Sequence, residues 1–184
     1  MRIKHFRVKI ALDIWPGPRY TQSMENVNES EMRELAAKYE AAVSNENDPE
    51  TRAVYAQFVR ECRAQFAQIP VKVIFTADDP YMKSADLFAD IERGAMRVYT
   101  KGEKHPLLTE KENAIFRAVH DFFGHYQARG NFQPAGELAA WRAHSRMFSA
   151  VARRALDTET IAQVAVYFFG SKPKTYATQK AVLL

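Results

Sequence analysis

The alternation of apolar and polar residues predicts a chain that is mostly helical. Between 109 and 129, apolar residues recur at the spacing of one helical face. Thr109 and Glu112 form a Thr-x-x-Glu capping box at the head of this helix. The same pattern predicts further helices over 28–44, 49–69, 83–94, 134–156 and 158–170, with Asn28 or Ser30, Pro49 and Asp157 near their starts.

Short alternating segments predict a smaller amount of β-structure in the first half of the chain. They cover 2–15, 71–81 and 95–100, and glycine and proline interrupt the chain between them. The expected fold is α+β and predominantly helical, with a small strand-containing N-terminal half and a C-terminal three-helix core. We expect a single domain over 1–184. The apolar end, "AVLL", indicates either a final packed element or a piece of a longer chain.

Composition narrows the class of protein. The 184 residues are 47% apolar and 26% charged, which is typical of a soluble globular domain. No apolar run approaches the ~20 residues that would span a bilayer, so we expect no membrane association. A net charge of +4 is compatible with an anionic substrate, nucleic acid included, but does not require one. A single cysteine, Cys62, excludes a disulfide framework and favours the reducing cytoplasm.

Three of the five histidines of the chain fall between positions 120 and 144. The hexapeptide His120-Asp121-Phe122-Phe123-Gly124-His125 places three polar side chains inside an apolar run. On an ideal α-helix Asp121 and His125 share a face, whereas His120 lies roughly 140° around the helix from His125. Two such histidines can still reach one metal ion if the edge of the helix faces the site.

The next two predicted helices contribute more polar side chains to their apolar faces. Glu137 and His144 are seven residues apart and therefore point in nearly the same direction. Glu159 lies in the third helix. An isolated ionised side chain is costly to bury, so the clustered residues require hydrogen-bond partners or a metal ion. We expect a functional polar centre here.

The types of the candidate ligands limit which metal ions could bind but do not identify one. Imidazole and carboxylate ligands suit Fe(II), Zn, Mn or Ni. Two histidines and one carboxylate with open positions form the facial triad of non-haem Fe(II) oxygenases. Three histidines with a glutamate base would instead suit a Zn or Mn hydrolase, in which the metal lowers the pKa of bound water. A purely structural network, with Asp121 orienting His125 or pairing with Arg117, is the remaining alternative.

The hexapeptide resembles the His-[Asp/Glu]-x-x-Gly-His motif of aromatic amino acid hydroxylases, and it matches every defined position. In that family the two histidines bind iron and a later glutamate completes the triad. The resemblance implies that His120 and His125 bind iron with Glu159, while Glu137 competes for the third position. It also implies a largely helical fold and O₂ activation with a pterin cosubstrate. We carry over the ligands, but neither the pterin nor the amino-acid substrate.

A second resemblance covers roughly the latter half of the chain. The runs "HPLLTEKENAIFRAVHDFFGH", "GELAAWRAHSRMFSAVARRALDTET" and "QKAVLL" are similar to an uncharacterised domain of phage and mobile-element proteins. The resemblance implies a phage setting.

These observations lead to one expected function and two alternatives. We expect a metal-dependent enzyme of phage origin, a mononuclear non-haem Fe(II) oxygenase that acts on a small molecule or nucleotide in the host cytoplasm. Its metal ligands would be His120, His125 and Glu159, and its catalytic residues Asp121, Glu137 and His144.

The first alternative is a Zn- or Mn-dependent hydrolase of phosphoesters or nucleotides with Glu137 as general base. Its His120-Asp121 pair resembles the HD phosphohydrolases, for which His105 and Asp157 would complete the site. The second alternative is a non-catalytic phage accessory protein that binds a host or virion protein.

Overall fold

Helices dominate residues 27–184, the part of the chain that the computed structural model describes. The strand predicted over 2–15 lies outside these residues. The elements in chain order are α1 Glu29–Ala41, α2 Pro49–Phe66, β1 Lys72–Thr76, α3 Ser84–Glu92, β2 Ala95–Tyr99, α4 Glu110–Val119, a first π-helical segment His120–Tyr126, α5 Pro134–Ser145, α6 Ala150–Asp157, a second π-helical segment Thr158–Ala162 and α7 Gln163–Phe169. The predicted α+β fold with predominant helix is confirmed.

Local capping chemistry sets the starts of the first two helices. Asn28 rather than Ser30 caps α1, because its side-chain oxygen accepts hydrogen bonds from the backbone N–H groups of Ser30 and Glu31. Asp48 caps α2 by accepting the Thr51 N–H at 2.7 Å, and Pro49 occupies the first turn. Both helices then pack their apolar stripes inward.

The strands form a small parallel sheet joined by α3. β1 pairs with β2 in the register Lys72↔Ala95 to Thr76↔Tyr99. A parallel pair needs a crossover connection, and α3 supplies it. Gly94 ends the α3 region with φ +92°, a conformation that glycine adopts without strain.

The helix that carries the hexapeptide begins as predicted. The capping box is complete, because the Thr109 side chain accepts the Glu112 N–H at 3.2 Å while the Glu112 carboxylate accepts the Thr109 N–H at 3.0 Å. From α4 the chain continues directly into the first π-helical segment.

The prediction of a single helix over 134–156 is wrong, because the structure has two helices in this range. α5 ends at Ser145 and α6 begins at Ala150, with Ser149 capping α6 through a bond from the Ala152 N–H. Glu61 of α2 accepts hydrogen bonds from both the backbone N–H and the hydroxyl of Ser149, which fixes the break.

The predicted cap at Asp157 is also wrong. Asp157 is the last residue of α6, and its carboxylate accepts the indole N–H of Trp141 at 2.7 Å. The helix predicted from 158 is continuous with α6 through the second π-helical segment and α7. Within the described residues the C-terminal half therefore contains three continuous helices, as expected, but their boundaries differ from those that the sequence indicates.

Two apolar clusters hold these elements together. The larger surrounds Phe58, Val119 and Leu156, and the smaller lies between α1 and α7, with Trp141 packing against both. The end of the described chain packs too, because Ala181 and Val182 are buried. No helix within 27–184 has the length and apolar character needed to cross a bilayer.

Candidate metal centre

The first π-helical segment brings the two histidines of the hexapeptide together. In an α-helix, the side chains of residues five apart point in different directions. The i→i+5 hydrogen bonds of a π-helix bring such side chains closer to the same face. The His120 and His125 rings accordingly lie with centroids 4.9 Å apart and planes at 81°. π-Helical turns are rare in proteins overall, but those that occur are often found at functional sites. This local distortion, rather than the edge of an α-helix, lets both imidazoles face one point.

Two glycines allow α5 to approach that point closely. A Cβ atom on Gly124 would lie 3.1 Å from His120 Nδ1 and 3.2 Å from the Ala140 carbonyl oxygen. A Cβ atom on Gly136 would lie 2.1 Å from the Asn131 carbonyl oxygen, which no side chain tolerates. The first turn of α5 is thereby held against the chain that follows the π-helical segment, and this turn carries Glu137.

Glu137 completes a compact group with the two histidines. One potential ligand atom from each of His120, His125 and Glu137 lies within 4.8 Å of the others. His125 Nε2 is 3.4 Å from Glu137 Oε2, while His125 Nδ1 lies 3.1 Å from the Gly130 carbonyl oxygen. A carbonyl only accepts, so His125 carries a proton on Nδ1 and directs Nε2 towards the carboxylate.

The electrostatics of the His125–Glu137 pair favour positive charge. Burial lowers the pKa of His125, but the hydrogen bond and charge of Glu137 outweigh it and leave that pKa raised. Burial raises the pKa of Asp121 to about 7, with His125 opposing and Glu137 reinforcing the shift. Either a proton on His125 or a cation between His125 and Glu137 would balance the carboxylate.

A single metal ion fits the donor set. Zinc and similar ions bind imidazole nitrogen and carboxylate oxygen at about 2.1 Å, so facial ligands lie roughly 3 Å from one another. The separation between His125 and Glu137 is close to that, and the widest pair would have to contract. Glu137 can move because its side chain is partly exposed on the first turn of α5.

His144, expected to act in catalysis, lies directly behind His120. Its Nδ1 is 3.2 Å from His120 Nδ1, and its Nε2 is 2.7 Å from Gln65 Oε1. The side chain is fully buried, and burial lowers the pKa of His144 to about 3. Burial also lowers the pKa of His120 well below its ordinary value. The structure therefore brings five of the six predicted site residues into one region: the compact group of His120, His125 and Glu137, with His144 behind it and Asp121 near enough to interact electrostatically with His125 and Glu137.

Glu159, the sixth, belongs to a different polar centre. Its carboxylate accepts hydrogen bonds from the Tyr55 hydroxyl at 2.6 Å, from His105 Nε2 at 3.1 Å and from the Gln163 side-chain amide at 2.9 Å. His105 Nδ1 accepts the N–H groups of Leu107 and Leu108, so its Nε2 carries the donated proton. Glu137 therefore replaces Glu159 beside the two histidines in the geometry.

The other residues considered from the sequence have structural partners. His105 is bound to Glu159 and not to His120, and Asp157 is bound to Trp141, so neither joins the pair required for the HD resemblance. The Arg117 guanidinium donates to the carbonyl oxygens of Tyr99 and Lys101, and its charge lowers the pKa of Asp121 only as a minor contribution.

Sequence reasoning missed Gln65 and the carbonyl of Gly130. Gln65 is buried on α2, three residues after Cys62 and seven after Phe58, within the apolar stripe of that helix. An amide at a core position was a signal that some buried polar partner lies opposite it. A backbone carbonyl gives no such signal.

No protein-family model, curated protein or solved structure matches this chain. The functional argument therefore rests on the geometry of the site.

Proposed function

We propose that this chain is a metal-dependent enzyme with a mononuclear non-haem iron centre held by His120, His125 and Glu137. The observation that carries the proposal is the convergence of these three side chains within 4.8 Å. Two histidines and one carboxylate are the protein ligands of non-haem Fe(II) oxygenases, and they leave coordination positions open for O₂ and substrate.

The ligand set differs from the one that the hydroxylase resemblance implies, because Glu137 takes the place of Glu159. The Glu159 carboxylate already accepts three hydrogen bonds in the core. Glu137 has a partly exposed carboxylate that faces His125. Moving Glu159 to the metal would leave buried donors without an acceptor, which costs about 1–3 kcal/mol for each.

The surrounding residues would have separate tasks. The Gly130 carbonyl accepts the Nδ1–H of His125 and so orients the ring with Nε2 towards the metal position. Asp121, with a pKa of about 7, is suited to hold or release a proton near neutral pH. A bound divalent ion would add positive charge and lower that pKa. The iron would supply O₂ activation.

The substrate class, which belongs to the same proposal, follows from the net charge and from the resemblance of the latter half of the chain. The chain is mildly basic and its latter half resembles a phage domain, which favours a nucleotide or another anionic small molecule in an infected cell. Buried Cys62 as the single cysteine is consistent with a cytoplasmic site.

The first test is metal content. Protein purified without a histidine tag, and reconstituted anaerobically with Fe(II), is compared with the His120→Ala/His125→Ala double variant by mass spectrometry. The matched control is His105→Ala, which removes a buried histidine from the other polar centre. We expect about one iron per chain in the parent and the control, and none in the double variant.

The remaining outcomes select the alternatives. Tight binding of Zn or Mn with no uptake of Fe(II) would favour the phosphoester or nucleotide hydrolase, in which Glu137 or Asp121 serves as base for a metal-bound water. No binding of any of these ions by a folded protein would overturn the enzyme proposal and leave a structural polar centre in a binding protein.

A further inference from the structure

A chain of hydrogen bonds reaches from the turn after α5 to the back of His120. It begins at the Met147 carbonyl oxygen, which lies 3.3 Å from the side-chain nitrogen of Gln65. A carbonyl accepts, so the amide nitrogen of Gln65 faces Met147 and its oxygen faces away. That oxygen lies 2.7 Å from His144 Nε2, which must therefore carry a proton.

His144 is held neutral by its surroundings. Its ring is fully buried, packs against the rings of Phe123 and Phe148, and makes its two polar contacts with Gln65 and His120. An imidazolium in such a place would need a carboxylate partner to offset its desolvation. With the proton on Nε2 and no net charge, His144 Nδ1 has a lone pair and accepts a hydrogen bond.

His120 must then be the donor in the contact between the two rings. The Nδ1 atoms are 3.2 Å apart, and one of them has to supply the hydrogen. Because His144 Nδ1 accepts, His120 carries its proton on Nδ1, and its Nε2 is the nitrogen with a free lone pair. Gly124 keeps this contact open, because a Cβ atom there would lie 3.1 Å from the same His120 Nδ1.

We propose that Gln65 and His144 are positioning residues that fix His120 in the Nδ1–H tautomer and so present its Nε2 lone pair to the metal. His144 is then neither a ligand nor an acid–base group. The inference rests on the proposed metal centre for its purpose, but the tautomer itself exists in the metal-free protein. Both imidazoles use the same device, since the Gly130 carbonyl fixes His125 in the Nδ1–H form. Metal-binding histidines commonly donate their second N–H in this way.

The first test observes the imidazole tautomers directly in the unsubstituted protein. Two-bond ¹⁵N–¹H correlation spectra of metal-free protein distinguish the two imidazole tautomers, and the chain has five histidines to resolve. The His120 signals are assigned by their absence in His120→Asn. We expect His120 protonated on Nδ1 and His144 protonated on Nε2. An Nε2–H tautomer at His120 would overturn the proposal whether or not the protein binds metal.

The hydrogen-bond chain from the Met147 carbonyl through Gln65 and His144 to His120 is called the relay. A matched pair of variants tests whether the relay supports metal binding. His144→Asn keeps an acceptor near the Nδ1 position, and His144→Leu has nearly the same shape without one. With Zn²⁺ as the probe, we expect binding about 10- to 100-fold weaker in the Leu variant and within a few-fold of the parent in the Asn variant. Thermal melting confirms that both are folded, and Gln65→Leu against Gln65→Glu repeats the comparison one bond further away.

The outcomes separate this inference from the proposed function. Equal loss of Zn²⁺ affinity in folded Asn and Leu variants would mean that the ring of His144 is itself needed, which overturns the relay. Failure of the parent protein to bind Zn²⁺ or Fe(II), with His120 still in the Nδ1–H form, would overturn the metal centre and the purpose of the relay together. The tautomer assignment would then remain as a structural feature.

Discussion

The assignment of Glu137 to the metal and Glu159 to the core can be tested by changing each carboxylate in the same way. Glu159 accepts hydrogen bonds from Tyr55, His105 and Gln163, and its side chain is almost completely buried. Glu159→Ala would leave the His105 N–H without its acceptor and the Tyr55 hydroxyl with only its longer contact to the Lys180 carbonyl oxygen at 3.4 Å, whereas Gln163 retains contact with Gln179. At about 1–3 kcal/mol for a buried donor without an acceptor, and less for the weakened Tyr55 contact, we expect the free energy of unfolding to fall by about 3 kcal/mol.

Glu137 should behave in the opposite way. Its side chain is 15% exposed and its contact within the cluster is His125 Nε2 at 3.4 Å. Glu137→Gln should change the free energy of unfolding of metal-free protein by less than about 1 kcal/mol, as is usual for side chains outside a satisfied network. The same substitution should weaken Fe(II) or Zn²⁺ binding about 100-fold or more, since it removes a ligand and not merely a partner of one.

The assays are urea unfolding of metal-free protein and metal titration of folded protein. Glu159→Gln is the matched control, because it keeps one acceptor oxygen and should cost about 1 kcal/mol while leaving metal affinity near the parent value. A folded Glu159→Gln protein that loses metal, beside a Glu137→Gln protein that keeps it, would refute the reasoning. It would also restore the ligand set that the hydroxylase motif implies.

Three further predictions concern the elements around the site. Gly136→Ala would place a Cβ atom 2.1 Å from the Asn131 carbonyl oxygen, so α5 must shift; we expect a loss of about 2 kcal/mol in unfolding free energy and weaker Zn²⁺ binding by titration. The Lys180 ammonium donates hydrogen bonds to three backbone carbonyl oxygens at the C-terminal end of α1. Lys180→Met removes them and should lower the free energy of unfolding in urea by about 2 kcal/mol, with metal affinity unchanged. The pKa of Glu112 is lowered, because hydrogen bonds to Thr109 and the charge of Arg63 outweigh the opposing effect of burial. Its stabilising contribution is therefore complete above the unfolded pKa of about 4.3 and is lost as the pH falls further; Glu112→Gln should make unfolding free energy less sensitive to pH in that range, by about 1 kcal/mol or less.

Features encoded by neighbouring residues were predictable from the sequence. The capping box of Thr109 and Glu112, the Asn28 cap and the glycine at the end of α3 each depend on side chains within a few positions. The break between α5 and α6 was not predictable, because Glu61, which binds Ser149, is 88 residues away in the chain. The π-helical segment was hidden for a related reason. Its residues show an ordinary helical pattern, and the close approach of α5 at Gly124 is a tertiary contact.

The choice of carboxylate shows the same limit at the site itself. Glu137 and Glu159 both lie on predicted helices that follow the histidine pair, and spacing along the chain does not rank them. The ranking comes from what each carboxylate contacts. Tyr55 and His105, which occupy Glu159, precede it by 104 and 54 residues. A short motif can therefore point to two histidines that the fold brings together and to a carboxylate that the fold places in another polar centre.

The two buried polar centres of this chain differ in how their charges are balanced, and that difference is the strongest argument for a metal. Around Glu159 every strong contact is a hydrogen bond from a neutral donor, and the donors are themselves fixed, as the backbone bonds to His105 Nδ1 show. Around Glu137 the outer nitrogens of the histidines are fixed in the same way, by Gly130 and by His144. One nitrogen of each histidine and an oxygen of the Glu137 carboxylate instead lie within 4.8 Å of one another, with Asp121 adding a further acidic group. Carboxylates gathered at one point need a positive charge, which either a proton on His125 or the divalent cation of the proposed centre would supply.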